Sequence, residues 1–147
     1  MNYYNEIKQE LINNEITKRV KDYSKNRSDL TTYYNVGKML AEAGKHYGEG
    51  IIKEYSKRLT EDLNKKYSIT SLKYMRQFYY LGKSQPMADQ LTWSHYIELL
   101  PLKNNLKIKY YIELCLKEKL SKRQLRQRIK NNDYERLDNE TKKKLLE

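Results

Sequence analysis

Apolar side chains along this chain recur every three or four positions, and no segment alternates as a half-buried strand does. Tyr4, Ile7 and Leu11 form one stripe. Ile12, Ile16, Val20 and Tyr23 form a second, rotated by about a quarter turn at ~100° per residue. The pattern predicts a first helix over about residues 2–25. At Asn13 and Asn14 it either breaks or turns from one neighbour to another, and a second copy of the chain is one neighbour able to cover the second stripe. Ser28 and Asp29 are N-cap candidates for the next helix, which carries Leu30, Tyr33, Tyr34, Gly37, Leu40 and Ala41 at helical spacing. A glycine within such a stripe costs about 1 kcal/mol against alanine, and points to close helix–helix approach. Gly44, Gly48 and Gly50 mark a loop. Ile51, Ile52, Tyr55, Leu59, Leu63 and Tyr67 make a further amphipathic helix.

Ser68 or Thr70 can cap a new helix a few residues later. Two helices joined by a turn of three or four residues make a helix-turn-helix unit. On the wheel of this second helix Leu72, Met75, Phe78 and Tyr79 gather on one side, and Lys73, Arg76, Gln77 and Tyr80 on the other, with Thr70 at the edge. A lysine, an arginine, an amide and a phenol are the groups that meet phosphates and base edges in a major groove. A surface helix of an ordinary bundle would look the same. Arg76 lies near the apolar stripe, where Glu61 or Asp62 could pair with it. Residues 82–90 read as a loop, and Trp93 after it as a core anchor.

Ile108, Tyr111, Ile112, Cys115 and Leu116 share one side of a later helix, which makes Cys115 a core residue. Ser121 caps the helix after it. There Leu125 and Ile129 point inward, and Arg123, Arg126 and Lys130 point together the other way. Three cations on one face repel in water and are favoured beside phosphate. The charged segment from Asp138 to Glu147 begins a helix or a linker.

Composition narrows the reading. The chain has 147 residues with 38% apolar and 33% charged side chains, enough for one compact core. Five glycines and two prolines are too few for the tight turns of a sandwich or barrel. The fold class expected is therefore all-α, a helical bundle with a helix-turn-helix-like unit. The formal net charge is +11. An AT-rich coding sequence would supply many lysines, but not their clustering. The net charge is +1 over residues 1–50, +3 over 51–100 and +7 over 101–147. Such a local excess is an electrostatic footprint for phosphate, or a lysine-rich solvated face.

Chemistry-bearing sets are sparse. One cysteine excludes an internal disulfide and a CxxC metal or redox site. His46 and His95 lie far apart. His95 could serve as a catalytic base, but a lone histidine beside a tryptophan is more often hydrogen-bonded into the packing. Ser94 lacks a glycine elbow. No metal site, cofactor or catalytic set is expected. No run of eighteen apolar residues and no signal peptide is present, so the expected compartment is the cytoplasm, without a membrane partner.

Several ordered motifs resemble the N-terminal domain of YhcG-like proteins. Tyr34-Asn35-Val36-Gly37-Lys38 is similar to its YWxIGK element, and Tyr47-Gly48-Glu49-Gly50-Ile51-Ile52 to its glycine loop. The run from Tyr67 to Tyr79, with Met75-Arg76-Gln77-Phe78-Tyr79 at its end, is similar to the family's Phe-Ser-x-x-Asn-Leu-x-x-Met-Arg-x-Phe-Tyr. Gln90-Leu91-Thr92-Trp93-Ser94-His95 matches QLxWSH. The stretch from Tyr111 to Ile129 follows FY…A…WSxxxLxxQI, and Tyr134-Glu135-Arg136-Leu137 matches YERL. The resemblance runs from about Leu30 to Leu137. Ser71, Asn35 and Leu120 depart from the family's Asn, Trp and Trp.

The resemblance implies a helical domain over residues 1–137, with residues 138–147 leading toward a C-terminal PD-(D/E)xK nuclease domain in full-length members. It implies a role in DNA binding or assembly. Nuclease chemistry of that class needs two acidic metal ligands and a lysine. No Pro-Asp pair occurs, and Glu6-Ile7-Lys8 has the acid-x-Lys spacing without a partner acid. The expectation is an accessory domain without the catalytic half. Its partner is double-stranded DNA through Thr70, Lys73, Arg76, Gln77, Tyr80, Arg123, Arg126 and Lys130. The alternative is a homodimerisation or protein-partner module.

Overall fold

Eight α-helices and no strand are present among the described residues of the computed structural model, so the all-α expectation holds. Those residues are 2–19, 25–85, 88 and 90–145, with backbone alone at 17–19 and 25–27. They gather into two compact units, residues 1–84 and 85–147, where composition suggested a single core.

The first unit holds α1 (Tyr3–Arg19), α2 (Lys25–Tyr47), α3 (Gly50–Leu63) and α4 (Ile69–Ser84). α2 packs on the other three. Tyr4, Ile7 and Leu11 of α1 are buried as their stripe predicts, against a core that includes Leu30, Val36 and Leu40 of α2 and Ile52, Tyr55 and Leu59 of α3. α1 does not break at Asn13 and Asn14. Asn14 is buried instead, donating to Asp29 Oδ1 at 2.9 Å and accepting from Ser28 Oγ at 2.9 Å. This corrects the cap assignment, because α2 begins at Lys25 and the Ser28 and Asp29 side chains serve α1. Of the second stripe, Ile16 is 59% exposed, and Val20 and Tyr23 lie outside the described residues.

Gly37 sits where α2 meets α4. A Cβ there would lie 2.0 Å from the Met75 carbonyl oxygen, so the two backbones touch. At Gly82 a Cβ would lie 2.7 Å from the Tyr34 ring, and the expected loop at this point is in fact the end of α4. Gly44 likewise falls inside α2 rather than in a loop. The turn between α2 and α3 is made by Gly48, whose φ of +84° suits glycine. Residues 64–68 connect α3 to α4, a longer link than the three or four residues expected. Ser68 caps α4, its hydroxyl accepting the Ser71 N–H at 3.0 Å.

A polar clasp closes α1 on α3. Tyr4 donates its hydroxyl to Asp62, Arg58 lies 3.7 Å over the Tyr4 ring, and Lys8 reaches Asp62 at 3.7 Å. The Tyr4 hydrogen bond and the two cations hold the Asp62 carboxyl below its usual range. Burial and Asp62 push the Tyr4 phenol up to about 12. A depressed carboxyl stabilises the fold above its ordinary range, and that contribution is lost as pH falls through its folded value. A raised phenol acts at the other end, its contribution fading as pH climbs from about 10 toward 12. Tyr4→Phe should therefore unfold at a higher pH than the native chain in an acid titration followed by circular dichroism. Coincident acid midpoints would show that the clasp is energetically silent.

The second unit holds α5 (Trp93–Leu99), a 3-10 turn (Leu100–Leu102), α6 (Asn105–Glu118), α7 (Lys122–Lys130) and α8 (Asn139–Lys144). Ile108, Tyr111, Ile112 and Cys115 of α6 are buried on one side, as their spacing predicts, but Leu116, expected with them, is 40% exposed; Leu125 of α7 is fully buried. Trp93 is only half-buried, so it is not the core anchor expected; Leu91, Tyr96 and Leu99 are buried near it in sequence. The Tyr111 hydroxyl donates to the Arg128 carbonyl at 3.4 Å and accepts the Tyr134 N–H at 3.3 Å, tying the end of α7 to α6. Ser121 and Gln124 form a capping box that starts α7. The expected helix in the charged tail is α8, capped by Asp138 and without a buried residue.

Candidate nucleic-acid interface

α4 buries Leu72, Met75, Phe78 and Leu81 and turns its opposite face outward. Thr70, Lys73 and Tyr80 are exposed there. Arg76 is mostly covered. Its guanidinium grips Glu49 at the start of α3, with one nitrogen on each carboxylate oxygen, the longer of the two bonds being 3.4 Å. The partner is thus Glu49 rather than Glu61 or Asp62. Arg76 lowers the Glu49 carboxyl by hydrogen bonding, and Lys73 adds to the effect through its charge. Gln77 is half-buried, and its side-chain oxygen is buried without a hydrogen-bond partner. Lys73 makes no ion pair among the described residues. The outward face of α4 therefore offers one exposed lysine, one arginine held by a carboxylate, a threonine and a phenol.

α7 is more uniformly cationic. Leu125 anchors it, while Lys122, Arg123, Arg126 and Lys130 are exposed. Arg126 donates to Glu98 of α5 through Nη2 at 2.6 Å and Nε at 3.1 Å. Arg128 is held by Glu118 and Asp133, at 3.2 and 3.0 Å. Arg123 and Lys130 have no carboxylate partner among the described residues. Of the three α7 cations picked out by their shared face, two are uncompensated and one carries its own counter-ion. Glu49 and Glu98 are not legible as partners in the sequence. Neither lies three or four positions from its arginine, and that is the only pairing a helical period exposes.

One other concave surface suits phosphate less well. An open cleft between α1 and α2 carries Glu6, Glu10 and Glu42 beside Lys38. No group of three or more His, Cys, Asp or Glu able to hold a metal occurs among the described residues, and no helix of theirs is long and apolar enough to cross a membrane.

His95 is committed to the fold. Its Nδ1 accepts the Thr92 N–H at 3.1 Å, and its Nε2 lies 2.8 Å from the Leu120 carbonyl. A backbone N–H can only donate and a carbonyl can only accept, so the ring is neutral with its proton on Nε2. Neither nitrogen is left to act as a base. Cys115 is buried, and burial pushes its thiol up to about 11, far from a reactive thiolate.

The family described as DUF1016 N-terminal domain matches residues 6–136, a span that covers the α4 and α7 faces alike. No curated protein and no solved structure matches the chain.

Proposed function

The chain belongs to the DUF1016 N-terminal domain family, and from that premise we propose that it is a DNA-binding accessory domain that targets an attached nuclease and carries no catalysis of its own. The observation that carries this reading is the α7 face, where Arg123 and Lys130 stand exposed with no carboxylate opposite them among the described residues. Uncompensated cations gain from releasing counterions on phosphate, and that gain does not depend on sequence. α4 adds the side-chain variety that base contact needs, with α3 and α4 as a helix-turn-helix-like pair. The nuclease partner rests on the resemblance to YhcG-like proteins, whose full-length members carry it.

A gel-shift series against salt, run beside light scattering, tests the reading. Affinity for duplex DNA should fall as salt rises. Replacing Arg123 and Lys130 together by glutamine should flatten the slope of log affinity against log salt by about two, at ~0.9 for each phosphate no longer neutralised. It should weaken all sequences alike. Arg126→Gln should flatten the slope less, because Glu98 already offsets that charge. Absence of salt-dependent binding to any duplex, in a chain that still melts cooperatively, would defeat the reading.

Ile16 favours a second reading, self-association. It is 59% exposed on a helix that buries Tyr4, Ile7 and Leu11. Deleting the first 25 residues cannot test this, since those three belong to the core. Ile16→Glu leaves the core intact, and should convert any dimer seen by light scattering to monomer.

A further inference from the structure

Tyr47 closes α2 with its side chain 60% exposed, although tyrosine is a large ring that folding usually covers. The ring is not loose. It stands T-shaped to Tyr3, with centroids 6.4 Å apart and planes at 80°, and tilted against His46 at 6.2 Å. Tyr3 itself is buried, so it fixes the orientation of the ring it supports. Gly48 and Gly50 follow, and a Cβ at either would meet nothing within 4 Å. The two glycines therefore add no bulk after the ring.

Lys73 is exposed on the outward face of α4 and makes no ion pair among the described residues. Glu49, two positions after Tyr47, holds Arg76, and Arg76 Nη1 lies 3.8 Å from where a Gly44 Cβ would stand. Lys73 is close enough to lower the Glu49 carboxyl. The glycine loop and the outward face of α4 are therefore one surface. It carries an aromatic ring set against Tyr3, the exposed Lys73 and the carboxylate-held Arg76.

We propose that Tyr47 is a stacking platform for an unpaired nucleotide of bound DNA, with Lys73 on the adjacent phosphate. This rests on the DNA-binding reading and adds to it a base contact outside the helix-turn-helix-like pair. A base inside a duplex has both faces covered by its neighbours. A ring fixed on the protein surface can stack only on a base at an end, an overhang or a gap. Stacking of this kind tolerates any base and is sensitive to loss of the ring, not of the hydroxyl.

Fluorescence anisotropy with two labelled duplexes, one blunt and one with a three-nucleotide overhang, tests it. The native chain should bind the overhang probe more tightly. Tyr47→Ala should weaken that probe by roughly 5- to 150-fold and leave the blunt probe unchanged. Tyr47→Phe should behave as native. Tyr47→Trp should show fluorescence quenching with the overhang probe and none with the blunt one, which reads stacking directly even if Tyr47→Ala melts early. Equal binding of both probes by the native chain overturns the proposal, as does a Tyr47→Ala variant that keeps the preference. Both outcomes leave salt-dependent binding to the blunt duplex, and with it the DNA-binding reading, standing. Binding to neither probe removes both.

Discussion

Gly37→Ala should destabilise the first unit by at least about 2 kcal/mol. The added methyl would sit 2.0 Å from the Met75 carbonyl oxygen, 2.7 Å from its carbon and 3.0 Å from the Tyr79 Cβ. The first two atoms are backbone, so no rotamer change relieves the clash, and α2 and α4 must move apart. Overpacking costs about 1–3 kcal/mol, and lies at the top of that range or beyond where backbone atoms are the neighbours. Alanine returns about 1 kcal/mol through its better helix propensity. The net loss corresponds to a melting temperature lower by roughly 8–16 °C, at about 4–8 °C per kcal/mol for a unit of this size. Gly50→Ala is the matched control. It lies at the start of α3 with nothing near its missing Cβ, and should melt at or slightly above the native temperature. Equal melting of Gly37→Ala and native protein would show that the two helices are not held at this separation.

His95→Ala should cost the second unit about 3 kcal/mol. Removing the ring leaves the Thr92 N–H and the Leu120 carbonyl without the partners they have now. Thr92 is exposed and Leu120 half-buried, so each group costs near the low end of about 1–3 kcal/mol, and the cavity left by the buried ring adds to that. Ser94→Ala, one residue earlier and exposed, should change little. Urea unfolding of the two variants side by side measures the difference. His95→Asn should fall between them, since a shorter amide can still accept from Thr92 but does not reach Leu120. If His95→Ala unfolds with Ser94→Ala, the two His95 hydrogen bonds contribute nothing.

Much of this architecture is legible in the residues. The 3.6-residue period places the buried faces of α3, α4, α6 and α7, because each helix buries a single stripe against its neighbours. Gly37 shows close approach, because a glycine in an apolar stripe has no other use there. Ser121 and Cys115 behave as their neighbours in sequence require. Failures arise where a distant side chain decides. Ser28 and Asp29 look like caps locally, but the amide of Asn14, on the preceding helix, takes both side chains. Arg76 finds Glu49 across a turn of backbone that no periodicity describes. Trp93 is half-buried while Leu91, Tyr96 and Leu99, near it in sequence, are buried, a choice that the helical period does not reveal.

The candidate site is less legible than the fold. A wheel separates inward from outward positions, so it finds the exposed face of α7 correctly. It cannot say which outward cations carry a counter-ion, and that decides how much charge remains for phosphate. Arg126 and Arg76 carry one, Arg123 and Lys130 have none among the described residues, and Lys73 shares Glu49 with Arg76 at longer range. Tyr47 stands out in the sequence only as part of a glycine loop. A large aromatic placed directly before Gly48 is the available sign of anything more.

Cys115 gives the second unit a built-in clock. It is the chain's single cysteine, it is buried, and its thiol titrates near 11 while the unit is closed. A thiol-specific reagent at neutral pH therefore finds no target until α6 parts from its neighbours. Labelling then proceeds at a rate set by that opening. The mass added per hour, followed without denaturant and divided by the rate for the unfolded chain under reagent low enough that reclosing outpaces labelling, would measure the free energy of the opening that exposes Cys115, in a molecule whose first unit has no cysteine.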